Sequence, residues 1–445
     1  MTYKKKLTRG EVCEGQKLWS KAKGLIPGGN MLLSKRPEMF LPDIWPAYFS
    51  RSKGCAVWDL DGGEYTDLSI MGIGTNTLGY GHFEVDEAVI QAVKSGNMST
   101  FNCPEEVELA ERLTDLHPWA DMARFARSGG EANAIAIRIA RAASAKDGVA
   151  ICGYHGWHDW YLAANLSNDQ SLDGHLLPGL STSGVPRDLA GSVHAFNYND
   201  IDELRQLVNR ENIGVIKMEV TRNLGPSDQF LKKVRSLCDD KDIVLIFDEC
   251  TSGFRQSFGG IHKIFDVEPD MATFGKALGN GYAISAVIGR RSIMEEAQNT
   301  FISSTFWTER IGPVAALKTL EVMERTKSWE QITETGKVIQ KEWARISSAC
   351  GVPITITGIP AIPSYVLQTE KNQIFRTFMT QLMLEKGFLS TPLVYVSLSH
   401  TDEILQNYFT EFEACFQLAR EALADGTIDM KLKGPICHSG FKRLN

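Results

Sequence analysis

The sequence has no run of eighteen apolar residues, no Cys-x-x-Cys pair and no excess of positive charge. A membrane-spanning helix needs about twenty consecutive apolar residues, so no membrane span is expected. A net charge of −7 and a pI near 5.8 argue against a nucleic-acid partner, which normally requires a basic face. The first ten residues carry charge but no apolar core, so no signal peptide is expected. The nine scattered cysteines are therefore interpreted as reduced thiols of a cytoplasmic protein.

The sequence also gives little support for a metal site. His155 and His158 are three residues apart, but no further ligands follow at a convincing spacing. A site with two histidines alone would be incomplete, so we expect no metal. Internal repeats and low-complexity tracts are absent as well.

The pattern of apolar segments predicts an α/β protein. A chain of 445 residues exceeds the size of a single hydrophobic core, so at least two domains are expected. Between residues 100 and 290, short apolar runs alternate with helical patterns, which is typical of a mostly parallel sheet. We predict an N-terminal segment at 1–65, a large domain at 66–312 and a small C-terminal α+β domain at 313–445, with the N-terminal segment packing on the small domain. The predicted strands are Val149–Cys152, Gly214–Val220, Ile243–Phe247, Met271–Phe274 and Ala283–Ile288.

A small-residue turn precedes one predicted helix. Ser128, Gly129 and Gly130 open a segment whose apolar residues recur at helical spacing. The first N–H groups of a helix have no partner within the helix, and the dipole there favours negative charge. Such a turn suits a phosphate group. A plain loop before a helix is an equally good interpretation of this motif alone.

Four residues with functional side chains follow predicted strands. Tyr154, Glu219, Asp248 and Lys276 each lie at or just beyond the end of an apolar run. Open α/β sheets bind ligands at the carboxyl ends of their strands, so these groups are predicted to meet at one edge. Singly, each has an ordinary alternative: a helix cap for Asp248, a solvated side chain for Lys276 and a core position for Tyr154.

The chemistry of these groups suits an aldehyde cofactor with a pyridine ring. Lys276 is able to form a Schiff base with the aldehyde, and small residues flank it. A pyridine ring withdraws electrons well only while its nitrogen is protonated, and a buried carboxylate such as Asp248 keeps it so. Tyr154 can stack on one face of the ring.

Several motifs together resemble the class III aminotransferases. They are Ser-Gly-Gly-Glu-Ala, Tyr-His-Gly, Phe-Asp-Glu, Gly-Phe-Arg and Gly-Lys, at residues 128–132, 154–156, 247–249, 253–255 and 275–276, in the family's order. Within the class, the chain is most similar to the glutamate-1-semialdehyde 2,1-aminomutase branch, over roughly residues 15 to 425. The resemblance implies a type I pyridoxal-phosphate transferase fold, pyridoxal 5′-phosphate as cofactor, and a homodimer whose active sites use residues of both subunits.

The resemblance also implies roles for individual residues. Asn223 would reach the ring hydroxyl, and Thr305 would complete the phosphate site from the partner subunit. Glu219 would support the wall of the site, although an ordinary strand-end carboxylate is the alternative. A substrate carboxylate would meet Arg36 or its neighbour Lys35, for which a solvated surface turn is the alternative. The cofactor-binding set is then Ser128, Gly129, Gly130, Tyr154, Glu219, Asn223, Asp248, Lys276 and Thr305.

Departures from the aminomutase pattern bear on the substrate. The chain has Phe-Trp-Thr-Glu at 306–309 and Gly-Asn-Gly-Tyr at 279–282, where the aminomutases carry smaller residues. We interpret this as a larger, polar acceptor, similar to the 8-amino-3,8-dideoxy-manno-octulosonate aminotransferase sub-branch of bacterial lipopolysaccharide sugar pathways. The expected reaction transfers the amino group of L-glutamate to the C8 aldehyde of 3,8-dideoxy-8-oxo-manno-octulosonate. The alternatives are an intramolecular aminomutase and, from another class, a cofactor-bound regulator without turnover.

Overall fold

The computed structural model describes residues 13–175, 177–221, 223–441 and 444. The first ten residues, on which the expectation of no signal peptide rests, lie outside this range. Within it, none of the helices has the length and apolar character needed to cross a bilayer.

The strands and helices of the described chain are as follows. The strands are β1 Phe49–Lys53, β2 Ala56–Asp59, β3 Glu64–Leu68, β4 Met122–Ala126, β5 Gly148–Cys152, β6 Val193–Ala195, β7 Ile213–Glu219, β8 Val244–Asp248, β9 Met271–Phe274, β10 Ser285–Gly289, β11 Ile354–Thr357, β12 Ser364–Leu367 and β13 Phe388–Ser390. The α-helices are α1 Glu14–Leu25, α2 Met71–Gly74, α3 Phe83–Ser95, α4 Glu105–Leu116, α5 Gly129–Ser144, α6 Asp159–Leu162, α7 Ile201–Arg210, α8 Phe230–Lys241, α9 Arg291–Met294, α10 Ile311–Thr326, α11 Ser328–Cys350, α12 Asn372–Glu385, α13 Asp402–Ala424 and α14 Ile428–Lys431.

One compact unit, Phe83–Glu330, is built on a seven-stranded sheet in the order β4-β10-β9-β8-β7-β5-β6. Strands β5 to β9 are parallel to one another, and β10 runs antiparallel to both β4 and β9. Every residue of β8 is buried, as expected for a strand covered on both faces. The five predicted strands all form, with ends within two residues of those expected. The predicted fold class is confirmed.

Helix α5 covers one face of this sheet. Its small and branched residues Ala132, Ala136 and Ile139 are buried against Val215 and Ile246 of the central strands. The helix begins with a capping box, in which Ser128 and Glu131 bond each other's backbone N–H groups. This cap fixes the point at which the chain turns from β4 into α5, directly above the carboxyl ends of the parallel strands.

The second unit contains residues before 83 and after 330. Its four-stranded sheet, in the order β1-β2-β3-β13, joins strands from both ends of the chain, with β13 parallel to β3. Its core is aromatic and lies among α11, α12 and α13. There the indole N–H of the fully buried Trp343 donates to the hydroxyl of Tyr408 at 3.2 Å.

The boundaries of the two units differ from those expected at residues 65 and 312. The division falls after His82 and after Glu330 instead. The physical reason is that α10, assigned from sequence to the C-terminal domain, packs on α3, α4 and the 3-10 turn at Lys276–Gly279. Its helical pattern shows that one face is buried but carries no information on which partner covers it.

Gly336, on α11, provides a test of packing in the second unit. An added Cβ would lie 1.6 Å from the carbonyl oxygen of Pro360, which is backbone and has little freedom to move. We expect Gly336→Ala to lower the free energy of unfolding by about 1–3 kcal/mol or more. The matched control is Gly24→Ala on α1, where an added Cβ meets nothing within 4 Å. The control should be neutral or stabilising by up to about 1 kcal/mol. Denaturant unfolding of both variants measures the difference, and equal stabilities would contradict the expectation.

Candidate active site

The predicted site residues of the large unit do meet at one edge of its sheet. Asp248 is the last residue of β8, and its neighbours across the sheet are Glu219 of β7 and Thr273 of β9. Tyr154 follows β5, and Lys276 follows β9. Because β5, β7, β8 and β9 are parallel, their carboxyl ends lie together.

Asp248 makes the most polar contacts of these residues. Its carboxylate is buried, with 3% of the residue exposed. Oδ2 accepts from the Asn133 amide at 2.8 Å and lies 2.8 Å from His155 Nδ1, while Oδ1 accepts from the Cys250 N–H at 3.0 Å. The ammonium of Lys217 lies 4.0 Å from Oδ2. One oxygen is therefore crowded, whereas the other keeps room for a further donor.

These contacts keep Asp248 ionised. Burial alone would raise the pKa of the carboxyl, but the Lys217 charge, the contact with His155 and the Cys250 N–H outweigh it. The pKa of Asp248 is therefore held well below its usual range. A carboxylate that remains charged in a buried position is the group needed opposite a protonated ring nitrogen.

Asn133 orients this network. Its amide N–H₂ donates both to Asp248 and to the carbonyl of His155, and its amide oxygen accepts from the hydroxyl of Thr273 at 2.9 Å. The side chain thus links α5 to β8, β9 and the loop after β5. A buried amide with its donors and acceptor all paired holds its neighbours in one arrangement.

Lys276 sits immediately after β9 in a strained backbone conformation. Its φ is +43°, in the left-handed region that residues other than glycine seldom adopt. Its amine donates to the hydroxyl of Thr251 at 2.5 Å. Strain of this kind, at a residue with a reactive side chain, is typical of functional sites.

The start of α5 has the properties predicted for a phosphate site. Gly129 and Gly130 are its first two residues, so helix geometry leaves their N–H groups without intrahelical acceptors. Gly130 is closely packed, since an added Cβ would lie 2.9 Å from the imidazole of His158, and a Cβ added at Gly156 would lie 2.9 Å from the Gly130 Cα. The Ser128 hydroxyl donates to Glu131 Oε2 and accepts from the Glu131 N–H in the cap, so it remains able to accept one further bond.

Tyr154 and Glu219 are coupled through the backbone. The N–H of Tyr154 donates to Glu219 Oε2 at 3.3 Å, and Gly153, at a φ of +121°, packs directly on the same carboxylate. Glu219 therefore positions the turn that carries the tyrosine. The Tyr154 ring is 38% exposed and makes an edge contact with Tyr161. Burial raises the pKa of Tyr154, and the nearby Asp248 raises it further, so the phenol stays neutral.

Two predicted residues have no side-chain hydrogen-bond partner among the residues that the structure describes. Asn223 and Thr305 are exposed, and neither side chain forms a hydrogen bond to another residue in the described part of the chain. Thr305 opens the short turn Thr305–Thr308.

The residues after Thr305 form hydrogen bonds and an ion pair that hold their own segment in place. The indole N–H of Trp307 donates to Glu131 Oε1 at 3.0 Å. The Arg127 guanidinium donates to the carbonyls of Trp307 and Glu309 and forms an ion pair with the Glu309 carboxylate at 3.0 Å. The Tyr282 hydroxyl likewise donates to Asp86 at 2.9 Å. Trp307, Glu309 and Tyr282, which distinguish this chain from the aminomutases, therefore make contacts within the chain. The sequence had indicated a role in binding a larger acceptor instead.

Arg36 and Lys35 belong to the other unit. Arg36 is half-buried beside the Gly28 turn, where an added Cβ would lie 2.2 Å from its Nη2, and its guanidinium lies 5.9 Å from the Phe441 ring. Lys35 is exposed.

Three functional neighbours of Asp248 were not found from the sequence. Asn133 was passed over because it lies in an otherwise apolar helix face, and His155 was considered only as a metal ligand. Lys217 was included in an apolar strand. In the sequence, each of the three is a polar residue that interrupts an apolar pattern. Such a residue can be assigned a role only when its partner in the fold is known.

The described residues fit pyridoxal phosphate. A lysine amine, a buried ionised carboxylate with one oxygen available, and two helix-start N–H groups match its aldehyde, ring nitrogen and phosphate. Asp248 and Lys276, with the start of α5 and Tyr154, are the residues that would hold it.

Comparison with known proteins gives the same family. The model of the aminotransferase class-III family matches residues 42–416. The chain is 34% identical to the 3-aminobutyryl-CoA aminotransferase of Cloacimonas acidaminovorans over 411 residues, covering 89% of this chain and 94% of that protein. It is 32% identical to the glutamate-1-semialdehyde 2,1-aminomutase of Methanothrix thermoacetophila, covering 89% and 95%.

Solved structures support the fold. The PLP internal aldimine form of the FumI protein from Sphingopyxis sp. MTA144 superposes with a TM-score of 0.83 at 23% identity, covering 92% of this chain and 97% of that one. An omega-transaminase from Sphaerobacter thermophilus gives a TM-score of 0.81 at 24% identity, covering 93% and 99%. From the family match, the site and the fold together, the chain belongs to the class III aminotransferases, which are enzymes that use pyridoxal phosphate.

Proposed function

We propose that this enzyme transfers the amino group of L-glutamate to the carbonyl carbon of a separate acceptor molecule. The observation that carries the proposal is that a lysine amine, that of Lys276, and a buried, ionised aspartate, Asp248, lie at the same edge of the sheet. When bound, pyridoxal phosphate supplies an electron-withdrawing ring that stabilises negative charge on the substrate carbon.

Four residues of this chain would then have separate roles in the reaction. Asp248 would pair with the protonated ring nitrogen, which keeps the ring electron-withdrawing. Lys276 would hold the cofactor through its amine, and the free amine would act as the base that moves a proton at the substrate carbon. Thr251, whose hydroxyl already accepts from the Lys276 amine, orients that amine. Tyr154 covers one face of the ring and excludes water from it.

The acceptor is the finer part of the proposal. The motif departures favour the C8 aldehyde of 3,8-dideoxy-8-oxo-manno-octulosonate. Trp307 is bound to Glu131 and Glu309 to Arg127, so these two residues support the proposal only indirectly. Phe306 remains a large exposed side chain, 69% accessible, that is free to contact a bulky acceptor.

A second candidate acceptor follows from the relative that acts on 3-aminobutyryl-CoA, since it is 34% identical over most of both chains. By the same reasoning, the aminomutase relatives keep intramolecular amino transfer as the alternative reaction.

For the substrate carboxylate we retain Arg36 as the proposed partner. A guanidinium pairs with a carboxylate through two parallel bonds, which the ammonium of Lys35 cannot match. Its guanidinium packs closely against the Gly28 turn. The exposed Lys35 is the alternative.

We expect turnover to require L-glutamate and to yield one 2-oxoglutarate for each amine formed. The assay supplies the purified enzyme with the eight-carbon sugar-acid aldehyde, a 3-oxoacyl-CoA and glutamate-1-semialdehyde, each with and without L-glutamate. Mass spectrometry of the amines identifies the acceptor. Isomerisation of glutamate-1-semialdehyde without a donor, together with failure of the other two acceptors, would replace this proposal by the aminomutase reaction.

We expect Lys276→Ala to lower turnover by at least about a hundredfold, since it removes the base. It should also abolish covalent capture of the cofactor. Borohydride reduction followed by peptide mapping should locate the wild-type label on Lys276. The control is Lys263→Ala, an exposed lysine whose amine donates to the carbonyls of Leu116 and Phe258. A label on another lysine in the wild-type enzyme would remove Lys276 from this role.

We further propose a homodimer in which Thr305 of one subunit completes the phosphate site at Ser128 of the other. We expect Lys276→Ala and Thr305→Asp subunits, each inactive alone, to recover up to half of the wild-type activity as a heterodimer. One site of that heterodimer has neither lesion only if the two residues come from different chains. Lys276→Ala mixed with Asp248→Asn is the control and should recover nothing. An inactive but verified Lys276/Thr305 heterodimer would refute the sharing.

A further inference from the structure

Lys217 is a buried cation that the reaction described above does not use. It lies on β7 between Ile151 of β5 and Ile246 of β8, with none of its surface exposed. Alternate residues of a strand share a face, so Lys217 lies on the face of Val215, which α5 covers. Its amine has no hydrogen-bond acceptor among the described residues.

Such a position is unfavourable for a lysine unless a counter-ion is close. Removing an ammonium group from water is costly, and its apolar neighbours do not offset that cost. The carboxylate of Asp248, 4.0 Å away, is the nearest negative charge that forms an ion pair with it. Burial lowers the pKa of Lys217, while Asp248, followed by Cys250 and Glu219, opposes that shift. The charge on Lys217 therefore depends mainly on Asp248.

The geometry separates the two oxygens of Asp248. Lys217 approaches Oδ2, which also meets Asn133 and His155, whereas Oδ1 has the Cys250 N–H alone. A ligand nitrogen that approaches Oδ1 therefore shares the negative charge of Asp248 with Lys217, which lies beside Oδ2.

We propose that Lys217 is a second counter-ion of Asp248, which competes with the ring nitrogen of the cofactor for that carboxylate and so limits how tightly the nitrogen is held. Lys217 is in this sense a positioning residue that acts through Asp248. The inference rests on the role of Asp248 given under the proposed function.

The first test measures binding of 4′-deoxypyridoxine 5′-phosphate to the full-length chain freed of its cofactor. This probe keeps the ring nitrogen and the phosphate but has no aldehyde, so Lys276 cannot capture it. Lys217→Met replaces the amine by an apolar side chain of similar volume. We expect it to lower the Kd by about tenfold or more, because one competing charge is removed. Lys263→Met, which removes the charge of an exposed lysine away from Asp248, should leave the Kd within twofold.

The second test places the same change in an Asp248→Asn background. There the lysine has no carboxylate to compete for, so Lys217→Met should no longer tighten binding of the probe. Asp248→Asn leaves Lys217 buried without a counter-ion and should lower the Tm. Adding Lys217→Met should raise that Tm again, a rescue that a merely space-filling lysine would not give.

The outcomes separate this inference from the function on which it rests. If Asp248→Asn weakens the probe but Lys217→Met leaves its Kd unchanged, the counter-ion role is wrong and the role of Asp248 stands. If neither substitution changes the Kd, Asp248 does not hold the ring nitrogen and both proposals fail. A Lys217→Met effect of equal size in both backgrounds would likewise overturn the competition, because it would not pass through Asp248.

Discussion

The constraint on which the site depends is a single buried negative charge. The Asp248 carboxylate lies at the end of a fully buried strand, and a charge in such a place persists only with partners close by. Three side chains supply them: Asn133 from α5, His155 from the loop after β5, and Lys217 from β7. The elements around the site are thus held to one another through the Asp248 carboxylate, and the same contacts keep it ionised.

Stability and chemistry are consequently linked in this unit. The Asn133 amide bonds Asp248, His155 and Thr273 at once, so the polar network crosses from the helix to two neighbouring strands. Such networks are favourable only when each member is satisfied. Lys217 is the member with the weakest pairing, since its amine contacts Asp248 at 4.0 Å and lacks a hydrogen-bond acceptor in the described chain.

The sequence was sufficient for the strands, because near-continuous apolar runs such as Val244–Asp248 have few alternatives in an α/β chain. It was also sufficient to place Asp248 and Lys276 at one edge, because parallel strands end together. It failed for α10, whose apolar stripe predicts burial but does not name its partner. It failed too for Asn133 and Lys217, since a polar residue inside an apolar pattern is explained only by a contact distant in sequence, here 115 residues away for Asn133.

The capping box at Ser128 has a consequence for attempts to exchange substrate preference within the class. Glu131 binds the Ser128 backbone with one oxygen and the Trp307 indole with the other, and Arg127, one residue before the cap, is paired with Glu309. A graft that replaced only residues 306–309 with an aminomutase segment would remove the side-chain partners of the half-buried Arg127 and of Glu131 beside the start of α5. The segment and the cap depend on each other's side chains, so a chimaera has to transplant Arg127 and Glu131 together with the segment.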